Sequence, residues 1–252
     1  MTCKLAAVLC GLSAIGAAQA PVEKGPPQPF EATATEHVDF PAGGAVSLNN
    51  SYGHLTVEGW DEPEVEVTVT KSTNRFLQPE QRDLAVQAFD QIHVVTERRS
   101  DKELAISTTI PVRHRFPFSI LPSRGFIVTM PKTSQRGITL EYTVHVPRDS
   151  RVVIHHDHGY VWVSDVRGDI EVDSHTGDMI VMLPDPGPYS VDAKTGMGSI
   201  SSDLTGHGNK RLLVGSHFVH AGQAPSRRVF LRMGRGCIII KNGPPSGPFW
   251  KD

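Results

Sequence analysis

The stretch Gly159–Ser202, GYVWVSDVRGDIEVDSHTGDMIVMLPDPGPYSVDAKTGMGSISS, decides the fold. Its glycines recur every nine or ten residues, at 159, 168, 177 and 187. The residues two and four places after each glycine are apolar, which gives the pairs Val161/Val163, Ile170/Val172, Met179/Val181 and Tyr189/Val191. Glycine permits the positive φ of tight turns, and alternation places every second side chain in a core. The stretch therefore predicts short strands separated by glycine turns.

The same glycine pattern occurs elsewhere in the chain, after Gly44, Gly53 and Gly236. Self-similarity at a short fixed period is typical of stacked repeat proteins. Between the repeats, Glu64–Thr70 alternates valine with polar residues, which indicates a sheet with one solvated face. The predicted fold class is all-β, a β-solenoid-like stack of short glycine-paced strands with one short helix inserted.

The inserted helix is predicted over Pro79–Gln91. Proline suits the first helical turn, and Leu84, Ala88 and either Phe89 or Ile92 form an apolar stripe at helical spacing. We expect this helix to pack on the sheet or to cap it.

The N-terminus predicts export. Residues 1–20 combine Lys4, a short apolar run over 5–15 and the small-residue sequence Ala18-Gln19-Ala20, as in a bacterial signal peptide. A lipid on Cys10 is the alternative, although Leu9 is bulky where a lipoprotein signal needs a small residue. The predicted order is a signal peptide over 1–20, a disordered linker over 21–35, a β-repeat domain over 36–241 and a flexible tail over 242–252. The predicted location is periplasmic or secreted, within the cell envelope.

Charge and composition limit the classes of partner that the chain is expected to bind. The formal net charge is −2, which argues against a nucleic-acid partner and against a polybasic membrane patch. No later stretch is apolar for long enough to form a transmembrane segment after signal cleavage. Of the three cysteines only Cys237 follows the signal peptide, so the exported chain has no internal disulfide. The basic, proline-containing segment over 111–136 reads as a surface loop or as a docking loop for an acidic partner.

The run His155-His-Asp-His158 has the highest local density of side chains that can bind a metal. On a strand, His156 and His158 point to the same face, and His175 follows one or two repeats later. Three imidazoles of this kind would bind a transition metal. The spacing matches no standard zinc motif, and a solvated histidine patch is the competing interpretation.

Acidic residues also recur in the repeats. Calcium binding would require a Gly-Gly-x-Gly-x-Asp signature, which is absent. Asp169 and Asp178 form a candidate acid–base pair for a glycan. No Gly-x-Ser-x-Gly elbow and no phosphate-binding glycine loop is present, and no cofactor is expected. Tyr160 and Trp162 are the candidate binding residues, because Trp162 should face away from Val161 and Val163 and form an exposed aromatic spot with Tyr160.

The run from Asn50 to Asp61, Asn-Ser-Tyr-Gly-x-Leu-x-Val-x-Gly-Trp-Asp, resembles the DUF4097 family when it is read with Glu64–Thr70 and the later repeats. These bacterial exported proteins are also called adhesin-like or GIN domains. The resemblance covers roughly 36–241 and implies a β-solenoid-like stack, with no activity attached.

The sequence thus favours an exported, non-enzymatic β-repeat protein with an adhesin-like role, which binds an unknown protein or glycan of the cell envelope. The alternatives are a carbohydrate-active β-helix enzyme and a metal-binding envelope protein.

Overall fold

The structure is a computed structural model that describes residues 30–73, 82–109, 138–184, 188–210, 215–223 and 227–243. The predicted signal peptide, the basic segment over 111–136 and nearly all of the predicted tail lie outside these residues. In the part of the chain that is described, no helix is long and apolar enough to cross a membrane.

The described chain contains fifteen strands and one helix. In chain order they are β1 (Glu31–Asp39), β2 (Ala45–Trp60), β3 (Glu64–Thr73), α1 (Arg82–Asp90), β4 (His93–Ser100), β5 (Glu103–Thr109), β6 (Ile138–Pro147), β7 (Arg151–Ser164), β8 (Ile170–Thr176), β9 (Met179–Leu183), β10 (Tyr189–Met197), β11 (Ile200–Ser202), β12 (His207–Lys210), β13 (Ser216–His220), β14 (Arg227–Arg235) and β15 (Ile238–Asn242). The prediction of a β-rich fold with one short helix is confirmed.

The long strands turn a corner at a glycine. In β7, Val152 and Ile154 are buried before Gly159, whereas Val161 and Val163 are buried after it. The inward-facing positions therefore change from even to odd numbers at Gly159, whose φ is +132°. Only glycine adopts this backbone conformation readily. The corner divides the sheet into two arms that face one common core.

The first arm has the strand order β4-β5-β2-β7-β8-β14-β10-β13-β12. The second arm has the order β1-β3-β6-β2-β7-β9-β15-β11. In both arms the central strands run parallel. Antiparallel strands lie at both ends of the first arm and at the β1 end of the second arm, whereas β11 at its other end pairs in parallel. We call one strand of the first arm and its continuation in the second arm a layer, so that β8 with β9 is one layer and β14 with β15 is another.

The apolar pairs predicted after the glycines form the core. All seven pairs are buried, from Val46/Leu48 through Ile170/Val172 to Ile238/Ile240. The nine-residue step between Gly168 and Gly177 corresponds to half of a layer, because one repeat lies in each arm.

The order of the layers in space differs from the order of the repeats in the sequence. A solenoid-like stack would place consecutive repeats in neighbouring layers, but β14 and β15 lie between the layer β8/β9 and the layer β10/β11. The physical reason is that every layer presents the same alternating apolar side chains to the core. That alternation specifies which side chains point inward, and it does not specify which layer is the neighbour.

The first strand begins earlier than the predicted domain. Residues 31–35, assigned to the linker, form the first half of β1 and pair with β3. The first half of β1 is not predictable from apolar alternation, because β1 is an exposed edge strand without an apolar pattern. Its outward hydroxyls bond across the pair instead, at 3.0 Å from Thr33 to Thr70 and 2.9 Å from Thr35 to Thr68.

The helix caps one end of the core, as predicted. Ala85, Phe89 and Ile92 are buried, and the ring of Phe89 stacks on Phe30 at 5.4 Å. The Lys71 ammonium of β3 donates hydrogen bonds of 2.8 Å to the backbone oxygens of Phe89 and Ile92. A cation at this position adds a charged hydrogen-bond donor to a carbonyl of the last helical turn and to the Ile92 carbonyl just beyond the helix.

We expect Lys71→Ala to lower the free energy of unfolding by about 1–2 kcal/mol, the usual cost of losing charged hydrogen bonds at a helix C-terminus. Urea unfolding followed by circular dichroism measures the change. Lys102→Ala removes an exposed lysine from a turn and serves as the control. Equal unfolding free energies for the two variants would contradict the capping role.

Candidate functional site

The outer face of the first arm carries a regular row of side chains. Directly paired positions on β7, β8, β14, β10 and β13 are Val153, Glu171, Phe230, Asp192 and Val219. We call these five residues the central row. Apolar and acidic side chains alternate along it, and adjacent positions are about 4.8 Å apart.

Phe230 is the aromatic centre of this row. Its neighbours Val229 and Leu231 are buried, so the alternation of β14 turns Phe230 outward, where it is 39% exposed. The Arg232 guanidinium lies 3.6 Å from the centre of the phenyl ring. This cation–π contact holds the ring in place while leaving much of it open to solvent.

Ion pairs surround the ring. Arg151 contacts Glu171 at 3.2 Å, and Asp169 accepts a 2.8 Å hydrogen bond from the backbone N–H of Arg228. Together with Phe230, these residues line an open groove of about 380 Å³. The groove thus combines an apolar platform with fixed hydrogen-bond donors and acceptors, the combination that orients a bound ligand.

Of the two acids in the central row, Asp192 has more side-chain partners. The Arg232 guanidinium contacts it at 3.0 Å, and the His217 imidazole at 2.9 Å. The hydrogen bonds from Arg232, followed by that from His217, keep the pKa of Asp192 below its ordinary value. The carboxylate therefore remains ionised at neutral pH and accepts hydrogen bonds.

The predicted histidine cluster is only partly assembled. His158 and His175 meet edge to face with their ring centres 5.8 Å apart, but His156 faces the core and is 2% exposed. The expectation that His156 and His158 share an open face is wrong, because even-numbered positions of β7 before Gly159 face the core, where His156 is buried. The Nε2–H of His156 donates to the backbone oxygen of Gly53 at 3.1 Å, which gives this imidazole a structural partner.

A second groove, of about 320 Å³, lies beside this corner and is lined by His155, Asp157, Asp173 and His175. Across the described ranges, no group of three or more His, Cys, Asp or Glu side chains is arranged to hold a metal ion. A metal role for His156, His158 and His175 stays a prediction.

The two aromatic candidates differ in exposure. Tyr160 is half-buried and stacks on His54 at 5.1 Å. Trp162 does face away from Val161 and Val163, as predicted, but it is only 4% exposed. The expected exposure of Trp162 is wrong, because the indole belongs to a second apolar cluster on the outer side of the second arm, with Ile180, Met182 and Ile239. Ligand binding by Tyr160 and Trp162 stays a prediction.

The candidate acid–base pair does not meet. Asp169 precedes β8 and Asp178 follows it, so roughly 23 Å of extended strand separates them. Paired catalytic carboxylates of glycosidases lie within about 10 Å of each other. Each acid instead accepts a hydrogen bond from a backbone N–H of the adjacent layer. For Asp178 the donor is Cys237, at 2.8 Å.

Sequence reasoning missed Phe230 and its groove. The available signal was the run Arg228-Val-Phe-Leu-Arg232, in which an aromatic residue stands between two arginines at outward positions of a buried strand. Finding the site also requires the register that places Glu171 and Asp192 on either side of the ring.

Comparison with known proteins gave no matching family model and no matching curated protein. Among solved structures, a "putative cell adhesion protein" from Clostridium sporogenes ATCC 15579 is similar, with 14% identity over 85% of this chain and 100% of that chain, at a TM-score of 0.43. A "putative adhesin" from Bacteroides fragilis NCTC 9343 is 10% identical over 84% of this chain and 97% of that chain, at a TM-score of 0.24.

Proposed function

We propose that the chain is an exported, non-enzymatic binding protein of the bacterial cell envelope with an adhesin-like role. In this proposal the parallel layers form a solenoid-like scaffold of the DUF4097 type, and the outer face of the first arm is the binding surface. The ligand is a component of the envelope.

The observation that carries the proposal is the exposed Phe230 at the centre of a charge-lined groove. Aromatic side chains rank among the commonest anchors of binding surfaces because they bury a large area with little loss of conformational freedom. The ring lies on a parallel strand hydrogen-bonded on both sides, to β8 and β10, so the platform is rigid. Rigid placement lowers the entropic cost of binding.

Export is supported by the features of residues 1–20 described above. The charge balance in and beside the groove favours an uncharged or mixed-charge ligand, since Arg151 and Arg232 are already paired with Glu171 and Asp192.

The test is co-sedimentation of the purified protein with isolated bacterial cell envelopes. We expect Phe230→Ala to weaken envelope binding about tenfold, the effect of removing an aromatic anchor. Val86→Ala, which removes an exposed apolar side chain from α1, is the matched control and should bind like the wild type. A wild-type protein that fails to sediment with envelopes, or a Phe230→Ala variant that binds fully, would overturn the proposal.

A further inference from the structure

We infer that the central row binds a neutral β-1,4-linked glycan that lies across the strands, along the stacking direction of the layers. This inference rests on the proposed function and specifies the ligand of the same face. Three observations carry it: the spacing of the apolar side chains, the acids between them and the pairing of the charges.

The spacing fits a chain with a two-sugar repeat. Val153, Phe230 and Val219 occupy every second strand of the central row, so consecutive apolar side chains are about 9.6 Å apart. In an extended β-1,4-linked chain each sugar is turned over relative to the one before, so the same ring face recurs at every second sugar. That repeat is close to two strand spacings. Alternate sugars would therefore place their C–H faces on successive apolar side chains.

The acidic residues between these apolar side chains can bind sugar hydroxyl groups. Glu171 and Asp192 stand on either side of Phe230, each beside a guanidinium that fixes the carboxylate. A carboxylate accepts hydrogen bonds from hydroxyl groups, and a guanidinium donates to hydroxyl and ring oxygens. Sugars that lie between two apolar side chains of the central row thus contact both hydrogen-bond acceptors and hydrogen-bond donors.

The pairing of charges favours a neutral chain over a charged one or a peptide. Each arginine in or beside the groove already faces an acid, namely Arg151 with Glu171, Arg228 with Asp169, and Arg232 with Asp192. A polyanion would have to break these pairs. A peptide strand would need free backbone groups, but β8 and β14 are hydrogen-bonded to neighbours on both sides. Their outer face offers side chains only.

Calorimetric titration of the full-length protein with β-1,4-linked oligomers of glucose and of N-acetylglucosamine tests the inference. We expect a tetrasaccharide to bind, a disaccharide to bind about tenfold more weakly, and added salt to change neither affinity, because a neutral ligand is not subject to charge screening. Phe230→Ala should weaken tetrasaccharide binding about tenfold, whereas Phe230→Trp should retain it. Circular dichroism checks that both variants are folded.

The possible failures are distinguishable. If the oligosaccharides do not bind while envelopes still do, the glycan inference is overturned while the proposed function stands, and loss of that binding on protease treatment would identify a protein ligand. If envelope binding weakens steeply with salt, the envelope ligand is charged, and the inference of a neutral chain is overturned. If envelopes do not bind at all, the proposed function itself fails.

Discussion

Gly177→Ala is expected to lower the free energy of unfolding by about 4 kcal/mol, through backbone strain and overpacking acting together. Gly177 lies at the corner of its layer with a φ of +141°, a conformation that side chains with a Cβ rarely adopt. An added Cβ would lie 1.7 Å from the backbone oxygen of Gly159 in the adjacent layer. Because that oxygen belongs to the backbone, it cannot move away by a change of rotamer, and the two layers would have to separate. Thermal and denaturant unfolding measure the loss.

Gly243→Ala is the matched control. Gly243 has the same φ of +141°, but an added Cβ would meet no atom of the described residues within 4 Å. We expect it to cost about 1 kcal/mol, from backbone strain alone. The difference between the two variants measures the close stacking of the corners. If Gly177→Ala were no more destabilising than Gly243→Ala, the contact between neighbouring glycine corners would not limit stability.

The glycine corners explain how much of the fold is predictable from sequence. Alternation after Gly53 or Gly159 identifies the buried side chains, since burial and a period of two residues are local properties. The helix is predictable for the same reason, because apolar residues recur at helical spacing, and Phe89 in its last turn is buried. These features need no knowledge of which strand lies beside which.

The remaining features depend on long-range pairing. The placement of β14 between β8 and β10 decides that Phe230 lies between Glu171 and Asp192, and no local pattern encodes that order. Trp162 illustrates the same limit. Its outward direction follows from alternation, but its burial depends on the outward neighbours Ile180 and Ile239, which pairing in the second arm brings together.

A second large effect is expected on acidification, because His156 is buried in its neutral form. Burial lowers the pKa of His156 from 6.5 to about 4, against the smaller opposing effect of its hydrogen bond to Gly53. In the unfolded chain the imidazole takes up a proton near pH 6.5, whereas in the folded protein it resists protonation until about pH 4. His156 therefore does not affect the free energy of unfolding well above pH 6.5, and it lowers that free energy as the pH falls from 6.5 towards 4. The full loss is about 3 kcal/mol.

His156→Gln isolates this contribution, because the glutamine amide retains a donor for the Gly53 oxygen and does not titrate. We expect the wild type to lose about 3 kcal/mol more unfolding free energy than His156→Gln between pH 7 and pH 4, as measured by denaturant titration at each pH. His155→Gln changes the exposed neighbouring histidine and should keep the wild-type pH dependence. Parallel stability curves for the wild type and His156→Gln would show that burial of this imidazole does not govern the acid sensitivity of the corner. Divergent curves would establish that the fold requires His156 in its neutral form, whereas a solvated histidine would tolerate protonation.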